Sequence, residues 1–262
     1  VTDKIDSAQS AAIYSALIKK LTLLPEHRTQ LKAKRGFSDE TIDRLQFRSC
    51  SSDSAIAIAK LDFTPAELRQ AGILVHDEPN PKLIKDNILI PFFDGSNVIA
   101  VKPHKNALAG FAIKLYLPAP LKTFAIIAES EFKAAAALQL GYCALGVTGV
   151  SSFSGKHFPE LVETLQKGGV TTCCIIFDNE LKDQKPYWDR WDTQYYSYML
   201  AMKLELNGIE TTIAVLPDSW RENGKADIDG ALAMGKIKEN FDVVVKSRKS
   251  PADYLKTLPA DA

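Results

Sequence analysis

The feature that most constrains this chain is an alternation of short apolar runs and helical stretches from residue 121 to residue 215. The run 124–128 is followed by a helical stretch 131–140, the run 142–147 by 158–167, and the run 171–177 by 193–207. The run 210–215 closes the series. Gly141, Gly168, Gly169 and Gly208 stand at the helix ends, where C-caps are expected. Apolar runs without polar alternation suit strands covered on both faces. Strands joined through helices run parallel, because a parallel pair needs a long crossover. Residues 121–262 therefore read as an α/β domain, a mostly parallel sheet with helices on both faces.

The region before residue 121 has another texture. Residues 1–80 read as small helices joined by polar turns. Ile13, Leu17, Leu21 and Leu24 have helical spacing over 8–24. Ser38 is placed to cap a helix with Asp39 and Glu40 in its first turn. Thr64-Pro65-Ala66-Glu67 has the order of a capping box, and Gly72 ends that helix. The segment 77–81, rich in proline and acids, is a linker by composition. Residues 81–120 are β-rich and basic. Two apolar runs, 87–93 and 98–102, flank Asp94-Gly95-Ser96-Asn97 and predict a hairpin. A third run spans 111–117.

Charge narrows the function classes. The 32 basic and 32 acidic residues cancel, which excludes a globally basic coat for nucleic acid and an acidic tail. The balance is uneven along the chain. Lys82, Lys85, Lys102, Lys105 and Lys114 face only Asp86 and Asp94 over 82–114, whereas the acids of interest lie beyond residue 128. No apolar run is long enough to span a bilayer, and the start at Val1 does not resemble a signal peptide. The missing initiator Met suits an excised or processed piece. Cys50, Cys143, Cys173 and Cys174 form no CxxC pair, which argues against a structural zinc site and fits reduced core thiols in a cytoplasmic protein.

Chemistry is expected at the carboxyl ends of the strands. Glu129 follows the first run, Thr148 and Gly149 the second, Asp178-Asn179-Glu180 the third, and Asp218 and then Lys225-Ala226-Asp227-Ile228-Asp229 the fourth. Any one such acid suits a solvated loop or a helix N-terminus. Several at one sheet edge suit Mg²⁺ or Mn²⁺, which take hard oxygen ligands and bridge to phosphates.

The order and spacing of these segments resemble a TOPRIM domain, over roughly 121–232. Ile126-Ile127-Ala128-Glu129-Ser130 stands at its Glu-Gly strand end, Thr148-Gly149 at its loop, and Ile176-Phe177-Asp178-Asn179-Glu180 at its Asp-x-Asp strand. Glu131-Phe132-Lys133-Ala134 and Lys225-Ala226-Asp227-Ile228-Asp229 are similar to segments of phage, plasmid and mobile-element primases. So are Arg35-Gly36-Phe37-Ser38, Pro91-Phe92-Phe93-Asp94-Gly95 and Lys114-Leu115-Tyr116-Leu117 further upstream. Ser130 stands where the family has Gly, and Glu180 where it has Asp, one methylene longer.

The resemblance implies a primase-like nucleotidyltransferase of DNA replication that makes short primers on single-stranded DNA from nucleoside triphosphates. A replicative helicase is a possible partner. Glu129 matches the family's general acid/base, and Asp178 and Glu180 its metal pair. Asp227 and Asp229 are further candidates for the metal cluster. Lys102, His104, Lys105, Lys114, Lys133 and Lys225 are expected to contact nucleic acid or nucleotide. Two alternatives stay open: a TOPRIM-type metal-dependent nuclease, and a non-catalytic nucleic-acid-binding module of a replication or defence protein. The stretch 149–157 superficially suggests a P-loop but has five residues between its glycines and His157 after Lys156. Trp188, Trp191, Tyr195, Tyr196 and Tyr198 read first as packing residues and second as a stacking platform for bases.

Overall fold

A computed structural model of the chain describes residues 7–104, 108, 115–149, 153, 157–180 and 193–258. It divides into two compact units. One comprises Val1–Lys32 and Ser38–Ile113, the other Ala33–Phe37 and Lys114–Ala262.

In the first unit, helix α1 (Ser7–Lys20) stops before Leu24-Pro25, since the residue preceding a proline avoids helical backbone. Helix α2 (Pro25–Arg35) follows and ends in the second unit. Helix α3 (Asp39–Arg44) starts at Ser38, whose hydroxyl accepts from the Thr41 N–H. Strand β1 (Arg48–Cys50), helix α4 (Ser54–Ala59) and helix α5 (Pro65–Gln70) come next. At α5 the Thr64–Glu67 capping box forms as the sequence predicts, each side chain bonding the other's backbone. After the short pair β2 (Leu74–Val75) and β3 (Glu78–Pro79), β4 (Asn87–Asp94) and β5 (Asn97–Pro103) make the expected hairpin, with β1 on its outer edge. Helix α1 packs on β5, and Ile13, Leu17, Val98 and Val101 share the core of this unit.

The second unit holds β6 (Leu115–Tyr116), β7 (Phe124–Ala128), α6 (Glu131–Gln139), β8 (Ala144–Val147) and α7 (Phe158–Lys167). Then come β9 (Thr172–Ile176), β10 (Asn179–Glu180), α8 (Thr193–Leu206) and β11 (Glu210–Ile213). It ends with β12 (Lys225–Ala226), α9 (Ile228–Ala233), α10 (Lys238–Lys246) and α11 (Pro251–Leu255). The sheet order is β11-β9-β7-β8-β6. All neighbours are parallel except the edge strand β6, which pairs antiparallel with β8. Of the apolar run 111–117, residues 111–114 lie outside the described residues.

Strand alternation explains why the runs are apolar throughout. Ala125, Ile127, Cys173 and Ile175 share one core with Leu161, Leu165, Leu200 and Leu204. The alternate residues Ile126, Ala128, Cys174 and Ile176 are equally buried and point to the opposite face. The adjacent cysteines are thus reduced core residues of two faces.

Helix α6 lies on β7 and β8, with Ala134, Ala135, Ala136 and Ala137 buried. The fit is close. A Cβ on Gly146 would stand 2.6 Å from the Ser130 carbonyl oxygen, so only glycine lets the start of α6 sit there.

Candidate functional site

Strands β7 and β9 are direct neighbours, with Ala128 opposite Ile176. Beyond this pair Glu129 follows β7 directly and Asp178 follows β9 after Phe177, and both acids reach Lys133 at the same sheet edge. A second contribution comes from β10 and β12, an antiparallel pair in which Asn179 opposes Ala226 and Glu180 opposes Lys225. That pairing delivers Lys225 and Asp227 to the end of β9.

The result is a mixed cluster of acids and lysines. Lys133 Nζ lies 2.6 Å from Asp178 Oδ1, 2.7 Å from Oδ2, and 3.7 Å from Glu129 Oε2. Lys225 Nζ lies 2.5 Å from Asp178 Oδ2 and 3.2 Å from Asp227 Oδ2. Asp178 and Lys133 have side chains 2% and 8% exposed, so each is buried against an opposite charge. Lys225 is more open. Burial works against its charge, but Asp178 and Asp227 hold its pKa above the ordinary lysine value.

The acids differ in state. Burial pushes Glu129 up to about 7, with Asp178 adding to the rise and Lys133 opposing it. Burial also acts on Asp227, yet Lys133, Lys225 and the Gly230 N–H outweigh it and hold this carboxyl below its usual range. Asp227 Oδ1 caps α9 by accepting from Gly230 N at 2.8 Å. Asp229, wholly buried, has its pKa raised by burial and by Asp227, with Arg35 pulling the other way.

Asp229 is drawn out of the cluster. Arg35 Nη1 donates to its Oδ2 at 2.6 Å. The same guanidinium lies over the Phe132 ring at 4.8 Å, and Phe37 meets that ring edge-on at 6.0 Å. Between them Gly36 has φ +67°, and its carbonyl accepts from Gln139 Nε2 at 2.9 Å. The Arg35-Gly36-Phe37 segment thus docks on α6 and α9, beside Lys133.

Further polar residues, among them Thr193, to which sequence reasoning assigned no role, complete the frame. Asn179 Nδ2 donates to the Leu216 carbonyl and to Asp218, while its Oδ1 accepts from Arg221 and Gln194. Thr193 Oγ1 donates to the Asp178 carbonyl at 2.7 Å. Thr148 Oγ1 donates to Glu131 Oε1 at 3.2 Å and ties the loop after β8 to the start of α6. Asn179 was visible only as the middle of a D-x-E spacing, which says nothing about its four bonds. Ser130 has extended backbone, φ −157° and ψ 174°, which any residue adopts without strain.

Of the other predicted contacts, Lys102 is a buried residue of β5 and His104 follows that strand, both in the first unit. Lys105, Lys114, Trp188, Trp191 and most of the 149–157 stretch lie outside the described residues. Tyr195 and Tyr196 are half-buried on α8 with rings edge-to-face, and Tyr198 packs against the sheet core.

Donor chemistry bears on a cation. Glu129 Oε2 and Asp178 Oδ1 are buried and accept no hydrogen bond among the described residues. Magnesium keeps several waters and needs only one or two protein carboxylates beside substrate phosphates, so this pair fits it. No group of three or more His, Cys, Asp or Glu side chains among the described residues is placed to hold a metal ion. Glu180, opposite Lys225, does not complete such a group.

Solved structures with this architecture carry one description. The catalytic domain of DnaG primase bound to single-stranded DNA superposes with a TM-score of 0.68 at 16% identity, covering 95% of this chain and 84% of the other. The chain has a TOPRIM primase-like fold. The RNA polymerase domain of Mycobacterium tuberculosis DnaG, in complex with a double-stranded DNA oligomer bearing a 6-nucleotide overhang, gives 0.68 at 15% identity, with coverages of 94% and 82%. The E. coli primase catalytic core gives 0.61 at 16%, with 95% and 81%. No family model and no curated protein matches the sequence. No helix among the described residues is long and apolar enough to cross a membrane.

Proposed function

We propose that this chain is a primase-like nucleotidyltransferase that joins nucleotides on a single-stranded DNA template. The observation that carries the reading is the meeting of Glu129 and Asp178 at neighbouring strand ends of a primase-like fold, with Glu129 raised to about 7. A carboxyl with that affinity exchanges its proton near neutral pH, as a general base for an attacking hydroxyl must. Glu129 Oε2 would take that proton where Glu129 does not itself hold the ion.

Glu129 and Asp178 are the residues that would hold Mg²⁺ or Mn²⁺. When bound, such an ion offsets phosphate charge and lowers the pKa of the hydroxyl. Lys225, partly exposed beside Asp178, offers an ammonium to a nucleotide phosphate. Asp227 pairs with Lys225 and, with Asp178, favours its charged form.

The test is incorporation of labelled ribonucleotides on a single-stranded template, comparing the wild type with Glu129→Gln and Asp178→Asn. Loss in both variants supports the assignment. Undiminished synthesis by both removes it.

A second reading is favoured by the lysines that engage Asp178: a nucleic-acid-binding module without chemistry. It predicts salt-dependent binding of single-stranded DNA that is indifferent to divalent ions, together with no incorporation.

A further inference from the structure

We propose that Lys133 is an exchangeable counter-ion of the Glu129–Asp178 pair, and that a divalent cation binds there only by displacing its ammonium group. The inference rests on the reading of this pair as the cation site.

Lys133 stands where a lysine is otherwise disfavoured. It is the third residue of α6, and the start of a helix repels positive charge. It is also buried, at a cost that only close acids offset. Phe132 and Ala134 on either side of it are buried, so the start of α6 is anchored and the long side chain is the part free to move.

The ammonium stands against both carboxylates. Both oxygens of Asp178 lie within 2.7 Å of Nζ, and Glu129 Oε2 lies 3.7 Å from it. Glu129 Oε2 and Asp178 Oδ1, the two oxygens without a hydrogen bond, are both turned to this one cation. A second cation cannot sit against the same two acids, because like charges at that separation repel strongly in a buried setting. Lysine suits exchange better than arginine: its charge is compact, carries no fixed fork and sits on a four-carbon stem. Lys225, more exposed than Lys133, also pairs with Asp178 at 2.5 Å.

The experiment titrates Mn²⁺ alone into the full chain by calorimetry, without nucleotide or template, for wild type, Lys133→Met, Lys133→Gln and Lys133→Arg. Circular dichroism shows which variants are folded. The folded neutral variants are expected to bind Mn²⁺ at least about tenfold tighter than wild type. Lys133→Arg, still cationic, is expected to show no gain. Adding Asp178→Asn to the tightest variant should abolish its gain. Equal or weaker binding by a folded Lys133→Met or Lys133→Gln protein overturns the inference, as does a gain that survives Asp178→Asn. Nucleotide incorporation is read separately. A gain in Mn²⁺ affinity in a chain that never incorporates nucleotides upholds the counter-ion role and removes the polymerase reading. Incorporation by wild type without a gain in the neutral variants does the reverse.

Discussion

Lys133 on α6 and Asp178 just beyond β9, 45 residues apart in the chain, are joined by a buried hydrogen bond of 2.7 Å. This pair connects stability to site chemistry, because the ammonium that keeps Asp178 tolerable in the interior also stands against Glu129.

Removing one partner should therefore be costly. Asp178→Ala is expected to destabilise the chain by about 3–5 kcal/mol, since it leaves Lys133 buried without its main counter-charge. Urea unfolding measures this. The double variant Asp178→Leu with Lys133→Met should recover most of the loss, as apolar replacements for a buried ion pair commonly do. A cost under about 1 kcal/mol for Asp178→Ala, the range of exposed pairs, would contradict the burial of this bond.

Glu129 sets a pH dependence with a definite sign. Its folded pKa of about 7 lies above the ordinary carboxyl value. The folded state then holds the proton more tightly than the unfolded chain. The stability this group contributes is complete below the ordinary value of about 4.3 and is lost as pH rises through about 7. Between about pH 5 and about pH 8.5, wild type should lose on the order of 2 kcal/mol more than Glu129→Gln. Parallel stability curves for the two proteins would exclude a raised pKa at Glu129. Nucleotide incorporation should rise over the same window as Glu129 becomes able to accept a proton.

Gly36 is expected to tolerate no side chain. Its φ of +67° disfavours any other residue, and a Cβ there would stand 2.5 Å from the backbone of Leu232 and Ala233. Gly36→Ala should cost at least about 2 kcal/mol and loosen the Arg35–Asp229 link. Thermal unfolding reads the cost. A neutral substitution would mean that the Arg35-Gly36-Phe37 segment does not dock against α9.

Gly146 offers a way to disturb the site without altering any charged group. In Gly146→Ala the new methyl meets the Ser130 carbonyl and pushes the turn carrying Glu129. Displacement of a reacting group by about 1 Å costs up to on the order of a hundredfold in rate. Incorporation should fall through kcat more than through KM, with the fold retained by circular dichroism. An unchanged kcat would show that the position of this turn is not critical.

Periodicity made much of the architecture legible. The runs 124–128 and 171–177, the Gly95 turn and the Thr64–Glu67 box are local patterns, and each forms close to its expected bounds. The acids Glu129 and Asp178 were also readable, because they stand just past strands and strand ends are where α/β sheets expose polar groups. What was not readable is how charges share space. Lys133 and Lys225 were expected to meet phosphate, and both engage Asp178. Arg35 gave no sign that it reaches Asp229, 194 positions away.

By itself, then, the sequence determined the parallel sheet and the identity of the acids at its edge, since hydrophobic period and strand ends depend on neighbours along the chain. Only the tertiary structure decided that β7 lies beside β9, that β12 returns Lys225 and Asp227 to the end of β9, and that Lys133 stands against both Glu129 and Asp178. Those choices rest on strand register and on pairing of buried charges, interactions between residues far apart in sequence whose strength depends on distances that no linear pattern records.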